Sequence, residues 1–136
     1  MKDTLRRLVK AGIWVEVTTL LIEGDNDSDD TLREMAEFIA NDLGKHVPWH
    51  LSAFFPNYKM KEHHATKVET LQRAKRIGEA AGLQYIYLGN VSVNGTTHCP
   101  KCDTVLVERA GYSPSIKMLE NGHCFACKKE IEGVWK

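Results

Sequence analysis

The fold is set by ten residues near the amino terminus, Ile-Trp-Val-Glu-Val-Thr-Thr-Leu-Leu-Ile at positions 13–22. Most of these residues are β-branched, and apolar side chains fall on both alternating faces of the extended chain. This pattern is typical of a parallel strand that is covered on both sides. We therefore predict that the segment lies inside an α/β sheet.

Helices are predicted on both sides of this strand. Apolar residues at helical spacing within 1–11, followed by Gly12, predict a short helix that ends at a left-handed glycine. After the strand, Asp27 or Ser28 caps a second helix, which Gly44 ends. The strand thus belongs to a repeating order of helix and strand.

Two more strands and one helix complete this order. Strands are predicted at about 49–54 and 84–88, and between them Thr66 and Glu69 form the T-x-x-E capping box of a helix that Gly82 ends. Alternation of helix and strand is the signature of parallel βα units with right-handed crossovers. The predicted fold class is therefore α/β, with a three-stranded parallel βα segment.

The composition changes after this segment. From residue 94 the chain is rich in glycine and cysteine, with short strand-like pieces such as 105–107 and no helical period. We predict two domains, a βα domain at 1–93 and a small metal-bound domain at 94–136.

The strongest chemical signal is two Cys-x-x-Cys pairs in the second domain: Cys99, Cys102, Cys124 and Cys127. Two such knuckles supply the four thiolates of a closed tetrahedral site, and a site with no open position is structural rather than catalytic. The apolar residues nearby are too few to fold the segment without metal. We predict a zinc ribbon, with a single iron, an iron–sulfur cluster and a redox dithiol as the alternatives.

Four residues lie beside the knuckles in the sequence and are not counted among the ligands. His98 and His123 each precede the first cysteine of a knuckle, and both are interpreted as neighbouring or surface residues because four cysteines complete the shell. Asp103 and Lys128 follow the knuckles, where glycine would relieve the backbone most easily. A strained backbone is expected at both positions.

A second constellation lies on the first two strands. Strand alternation places Glu16 and Thr18 on one face, and His50 and Ser52 on the corresponding face of the next strand. Polar groups there indicate a hydrated interior, although a core histidine and a solvent-exposed glutamate would give the same pattern. Ligands of α/β folds bind at the carboxyl ends of strands, where the loop 57–65 is long enough to act as a lid.

Three strings and the two knuckles together resemble one family, in the same order. The strings are Trp-Val-Glu-Val-Thr-Thr-Leu-Leu-Ile-Glu-Gly-Asp-Asn-Asp at 14–27, Val-Pro-Trp-His-Leu-Ser-Ala-Phe-Phe-Pro-Asn-Tyr at 47–58 and Leu-Gln-Tyr-Ile-Tyr-Leu-Gly-Asn-Val at 83–91. The family is the radical S-adenosylmethionine (SAM) protein of the AmmeMemoRadiSam system, which is similar to the pyruvate formate-lyase activating enzymes.

This resemblance implies a partial (β/α) barrel with a metal ribbon appended. It further implies that the barrel holds a [4Fe-4S] cluster and SAM, cleaves SAM reductively to a 5'-deoxyadenosyl radical, and abstracts hydrogen from a substrate. By the same resemblance, Thr18, Leu20, His50 and Ser52 line the SAM pocket.

The chain also departs from the family. Those enzymes bind their cluster through a Cys-x-x-x-Cys-x-x-Cys loop near the amino terminus, and here no cysteine precedes Cys99. The glycine-rich stretch for the methionine end of SAM is missing, and the strands are too few for the family's barrel. The chain is therefore expected to be the carboxyl-terminal part of such an enzyme, inactive alone. Its partner is either the missing amino-terminal half or a second copy that covers the unpaired edge of the first strand.

Charge and hydropathy narrow the remaining alternatives. Eighteen Lys and Arg balance eighteen Asp and Glu, so nucleic acid is an improbable partner. No apolar run reaches the ~18 residues of a membrane span, and the expected location is the cytoplasm.

Two hypotheses compete with a part of a radical SAM enzyme. One is a metal-stabilised module that binds protein or nucleic acid, and the other is an independent acid–base enzyme that uses Glu16, Asp25 and His50.

Overall fold

The structure is a computed structural model that describes residues 1–93, 95–110 and 113–135. The chain divides into two compact units, Met1–Val91 and Ser92–Lys136. No helix in these described ranges combines the length and the apolar character that a membrane span requires.

The first unit is a parallel sheet with helices between its strands. Its strands are hydrogen-bonded in the order β1-β2-β3, and both neighbouring pairs are parallel. The elements in chain order are α1 (Lys2–Lys10), β1 (Val17–Leu21), α2 (Asp29–Phe38), a π-helical turn (Ile39–Leu43), β2 (Trp49–Ala53), α3 (Val68–Ala80) and β3 (Ile86–Gly89). The predicted three-stranded parallel βα segment is therefore present.

The hydrophobic core lies between one face of this sheet and helices α2 and α3. Alternate residues of β2 point into it, and Trp49 and Leu51 are fully buried. Gly78 of α3 allows the close approach, because a Cβ atom there would lie 2.6 Å from Ile86 Cδ1 and 2.9 Å from Trp49 Cζ3. The indole N–H of Trp49 donates to Thr19 Oγ1 at 3.0 Å, so the one polar atom of that buried side chain is satisfied.

The first strand differs from its prediction in length and in covering. β1 occupies only Val17–Leu21 of the predicted 13–22, and Leu20 on its outer face is 45% exposed. The core of the first unit lies on the other face of this sheet. The expectation that both faces of the first strand are covered is therefore wrong for the described part of the chain. The face of the sheet opposite the core, called the open face below, carries both apolar and polar side chains.

The predicted capping box of α3 is also wrong. Lys67 is the N-cap residue, and it makes no side-chain capping hydrogen bond. The Thr66 hydroxyl instead donates to the carbonyl of Leu21 at 2.5 Å and accepts from the backbone N–H of Phe54 at 2.9 Å. Thr66 thus ties together the carboxyl ends of β1 and β2.

The first turn of α3 is capped from another part of the chain. The Glu23 carboxylate, just after β1, accepts from the Lys67 backbone N–H at 3.0 Å and from the Thr70 hydroxyl at 2.6 Å. These bonds, the one from Thr70 first, hold the pKa of Glu23 below its ordinary value. The helix therefore depends on a tertiary cap rather than a local one.

The second unit consists of short antiparallel strands. One sheet has the order β4-β5-β6, and a two-stranded hairpin forms a separate sheet. Few of its apolar side chains are buried; Leu106 and Ile131 are the clearest. The strands are β4 (Gly95–His98), β5 (Val105–Ala110), β6 (Ser113–Ile116), β7 (Leu119–Glu120) and β8 (His123–Cys124).

Candidate functional site

The four cysteines converge on one point of the second unit. Their Sγ atoms all lie within 4.8 Å of one another. The Sγ atoms of Cys99 and Cys127 are 3.6 Å apart, and so are those of Cys102 and Cys124, each pair joining one knuckle to the other. The prediction that these cysteines are positioned to bind one metal ion is confirmed.

The two knuckles have the same local backbone geometry. In the first, Cys99 N–H donates to Thr104 O and Asp103 N–H donates to Cys99 O, both at 2.9 Å. In the second, Cys124 N–H donates to Lys129 O and Lys128 N–H donates to Cys124 O, both at 2.8 Å. Each loop turns through a left-handed residue, with φ of 60° at Asp103 and 63° at Lys128. The left-handed backbone that glycine would adopt most easily is therefore found at both positions.

The thiols of this cluster differ in acidity. Cys102 Sγ lies 3.1 Å from Thr104 Oγ1, and hydrogen bonds from the side chain and then the backbone of Thr104 lower the pKa of Cys102 to about 6. The Lys129 backbone N–H favours the Cys127 thiolate, but burial and the neighbouring sulfurs together outweigh it and raise the pKa of Cys127 to about 11. A bound cation would favour the thiolate form throughout the cluster.

The two neighbouring histidines do not join the sulfur cluster. His98 Nδ1 lies 3.0 Å from Asp103 O, and His123 Nδ1 lies 2.9 Å from Asn121 O. Both residues are exposed. Their predicted role as neighbours of the site agrees with these positions.

The open face of the sheet in the first unit brings together the other predicted residues. In the ladder, Thr18 lies opposite His50 and Leu20 lies opposite Ser52, which in turn pairs with Gly89. Because Trp49, Leu51 and Ala53 fill the core, alternation turns His50 and Ser52 to the opposite face. We call Thr18, Leu20, His50 and Ser52 the open-face residues.

A chain of side-chain contacts crosses the amino end of this face. The Glu16 carboxylate binds His50 Nε2 through Oε2 at 2.6 Å and accepts from the Trp14 indole N–H through Oε1 at 3.0 Å. The His50 ring packs against the Tyr87 ring with centroids 5.3 Å apart. The side chain of His50 is 34% exposed and that of Glu16 is 46% exposed, so His50 is not a core histidine.

Trp14 and Tyr87 are absent from the predicted site residues. Trp14 carries a local signal, because it lies two residues before Glu16 and so shares its face in an extended chain. No local sequence signal marks Tyr87, because its place opposite His50 depends on the register of β2 and β3.

The carboxyl ends of the strands carry a separate ionic contact. His63 Nε2 lies 3.8 Å from Asp25 Oδ2, and its ring meets that of Phe54 edge-on. Asp25 follows β1, whereas Glu16 precedes it, so the two carboxylates lie at opposite ends of that strand. The structure does not bring Asp25 to the His50 pair as a common acid–base centre.

Comparison with known proteins finds a longer relative by sequence and a solved structure with a similar fold. No family model matches. The uncharacterized protein MJ0808 of Methanocaldococcus jannaschii is 37% identical over 136 residues, which cover 97% of this chain and 41% of that relative. The chain therefore spans about two fifths of the length of that relative.

Among solved structures, the crystal structure of a radical SAM methyltransferase from Sphaerobacter thermophilus is similar to part of this chain. The TM-score is 0.51 and the sequences are 24% identical, over 63% of this chain and 24% of the methyltransferase. This likeness shows that the two proteins share a fold over the matched part.

Proposed function

We propose that this chain forms one part of a radical SAM barrel similar to that of the pyruvate formate-lyase activating enzymes, and that it does not cleave SAM alone. The observation that carries the proposal is the parallel sheet, which has helices on one face and polar side chains from neighbouring strands on the other. In a (β/α) barrel the helices lie outside and the opposite face of the sheet lines the interior. The open face would therefore become an interior wall.

The open-face residues suit a wall of a SAM pocket. The hydroxyls of Thr18 and Ser52 and the imidazole of His50 offer hydrogen bonds to ribose, amine or carboxylate groups, and Leu20 offers an apolar contact. When bound beside a reduced [4Fe-4S] cluster, SAM would supply the 5'-deoxyadenosyl radical that abstracts hydrogen from the substrate. The role of this chain would be to bind and orient SAM.

The [4Fe-4S] cluster of such an enzyme does not fit the cysteines of this chain. In a cubane cluster each cysteine binds a different iron, so the width of the cluster separates the sulfurs. Here two sulfur pairs are only 3.6 Å apart, close to the value of about 3.8 Å expected around a single tetrahedral ion with Zn–S bonds of about 2.3 Å. The cluster ligands would therefore come from a segment outside this chain.

The four cysteines instead suit one structural ion. They complete a tetrahedral shell and leave no position for water or substrate, so a catalytic role is disfavoured. We infer a zinc ribbon, with a single iron as the alternative ion.

A polypeptide that completes the barrel is the partner that this proposal requires. β1 is an edge strand of the sheet, and the open face beside it exposes Trp14 and Leu20. An edge strand next to exposed apolar side chains is a site for strand pairing. The partner would be an amino-terminal barrel half or, failing that, a second copy of this chain.

A chimera tests the proposal. The aligned segment of MJ0808 is replaced by this chain, the protein is reconstituted with iron and sulfide without oxygen, and 5'-deoxyadenosine is measured after addition of SAM and dithionite. We expect 5'-deoxyadenosine from MJ0808 and from the chimera, and none from this chain alone. The proposal would be overturned if the chimera folds and binds its cluster but makes no 5'-deoxyadenosine. It would also be overturned if MJ0808 itself, folded and with its cluster bound, makes none.

Metal analysis and a binding assay address the rest of the proposal. The chain purified without added metal should contain about one zinc per chain and show no iron–sulfur absorbance. A salt-dependent shift of RNA or DNA by the isolated chain would favour the alternative of a metal-stabilised binding module. That outcome is not expected, because acidic and basic residues balance in this chain.

A further inference from the structure

We propose that Glu16, held in place by Trp14, is a positioning residue for His50 and makes its Nδ1 atom the hydrogen-bond acceptor for a ligand hydroxyl or amine on the open face. The identity of that ligand as SAM rests on the proposed function. The positioning role itself rests on the contacts among Trp14, Glu16, His50 and Tyr87.

Both oxygens of the Glu16 carboxylate are engaged. Oε2 lies 2.6 Å from His50 Nε2, and Oε1 accepts the indole N–H of Trp14 at 3.0 Å. Trp14 and Glu16 lie just before β1, while His50 lies within β2 opposite Thr18. The strand pairing thus brings the carboxylate to the imidazole, and the indole limits rotation of the carboxylate.

This contact dictates which ring nitrogen of His50 carries the proton. An ionised carboxylate only accepts hydrogen bonds, so the proton of the neutral imidazole resides on Nε2. The lone pair is then on Nδ1, and among the described residues Nδ1 has no hydrogen-bond partner. His50 therefore offers an acceptor to a ligand, with its ring held beside Tyr87.

The arrangement is poorly explained by stability alone. The His50 and Glu16 side chains are 34% and 46% exposed, and polar contacts between side chains so open to solvent stabilise folded proteins little. Orienting a histidine through a carboxylate on one nitrogen is, however, the general way in which proteins set the chemistry of the other nitrogen.

Long-range ¹H–¹⁵N NMR of the ¹⁵N-labelled full chain tests the tautomer directly. We expect the neutral His50 ring to carry its proton almost entirely on Nε2 in the wild type, and to show a mixture of tautomers in Glu16→Gln. Trp14→Phe, which removes the indole donor and keeps a smaller aromatic ring, should shift the ratio in the same direction by a smaller amount. Asp25→Asn is the matched control and should leave the His50 signals unchanged.

The signals are assigned by their loss in His50→Gln, and circular dichroism confirms that each variant is folded. An unchanged tautomer ratio in folded Glu16→Gln, or a wild-type ring protonated on Nδ1, would overturn the positioning role.

A binding experiment separates this inference from the proposed function. SAM is titrated into the chimera with MJ0808, and we expect Glu16→Gln and His50→Gln each to weaken binding about tenfold, which corresponds to one hydrogen bond. The double variant should bind no more weakly than His50→Gln, because Glu16 acts through His50. Undiminished binding by Glu16→Gln contradicts the inference, whereas a chimera that never binds SAM but keeps the predicted tautomer contradicts only the proposed function.

Discussion

Single residues connect the strand ends to the helices in the first unit. Glu23 caps α3 from the turn after β1, and Thr66 bonds to the backbone at the ends of β1 and β2. Both residues are polar, and neither lies in a periodic segment, so their roles depend on the fold around them. Their effects are measurable as changes in stability.

Glu23→Gln should destabilise the chain by about 1 kcal/mol at pH 7, since an amide is a weaker acceptor than a carboxylate for the Lys67 N–H and the Thr70 hydroxyl. The lowered pKa of Glu23 means that its stabilisation is complete above the ordinary value of 4.5 and is lost as the pH falls through the lowered pKa. Urea unfolding over a series of pH values from 7 downward should therefore show the largest difference between wild type and variant at pH 7, and a smaller difference as Glu23 becomes protonated.

Glu69→Ala is the control, because the capping-box prediction would make the loss of that carboxylate costly. We expect it to cost less than Glu23→Gln. A larger cost at Glu69 would contradict the tertiary cap.

Gly78→Ala should destabilise the first unit by about 1–2 kcal/mol. Alanine favours a helix by about 1 kcal/mol relative to glycine, but overpacking in a core costs about 1–3 kcal/mol. The new Cβ would lie 2.6 Å from Ile86 Cδ1 and 2.9 Å from the ring of the fully buried Trp49. Urea unfolding measures the effect, and a second change, Ile86→Val, should restore part of the loss by removing the nearer atom.

At the scale of elements, the outer edge of β1 is partly closed by one side chain. Val17 N–H bonds to Pro48 O, so alternation turns the backbone groups of Leu20 and Ile22 to the opposite edge. There Asn26 Oδ1 accepts from Ile22 N–H at 2.8 Å, and Asn26 Nδ2 donates to Leu20 O at 2.9 Å. The Asn26 amide thus takes the place of a neighbouring strand at the carboxyl end of β1, so a pairing strand would have to bind nearer the amino end.

Asn26→Ala should expose this end of the edge. We expect a loss of about 1 kcal/mol from two hydrogen bonds in a partly exposed turn, together with stronger self-association. Sedimentation velocity over a range of concentrations measures the association, with Asn57→Ala as the control because Asn57 is exposed and accepts its side-chain hydrogen bond from Tyr58 N–H of its own loop. Equal association of the two variants would show that Asn26 does not protect the edge.

At the scale of the whole molecule, the two units differ in what stabilises them. The first has a continuous core around Trp49, Leu51 and Leu71, whereas the second buries few apolar side chains besides its cysteines. Small segments with so little core require a metal ion to fold, and zinc contributes about 10–16 kcal/mol in zinc-finger peptides.

Removal of the metal should therefore unfold the second unit and leave the core of the first. In ¹H–¹⁵N spectra recorded with excess chelator, the signals of 95–110 and 113–135 should collapse to random-coil positions. The indole signal of Trp49 should persist. Retained dispersion in the second unit, with metal loss confirmed by analysis, would contradict the structural role of the ion.

The order of helices and strands and the metal-binding character of the cysteines could be predicted from the sequence, because both depend on short-range patterns. The apolar spacing of α2, its Ser28 cap and the Cys-x-x-Cys pairs each involve residues within a few positions of one another. Such signals survive without knowledge of the neighbouring elements.

The remaining features depend on contacts between distant parts of the chain. Glu16 and His50 are 34 positions apart, and Glu23 and Thr70 are 47 apart, so their pairing depends on strand register and on the connections between β1, β2 and α3. The same holds for the open face, because alternation separates two faces of a strand but does not say which one the helices cover. The residue types of the candidate site are therefore visible in the sequence, whereas their pairing and exposure follow from tertiary packing.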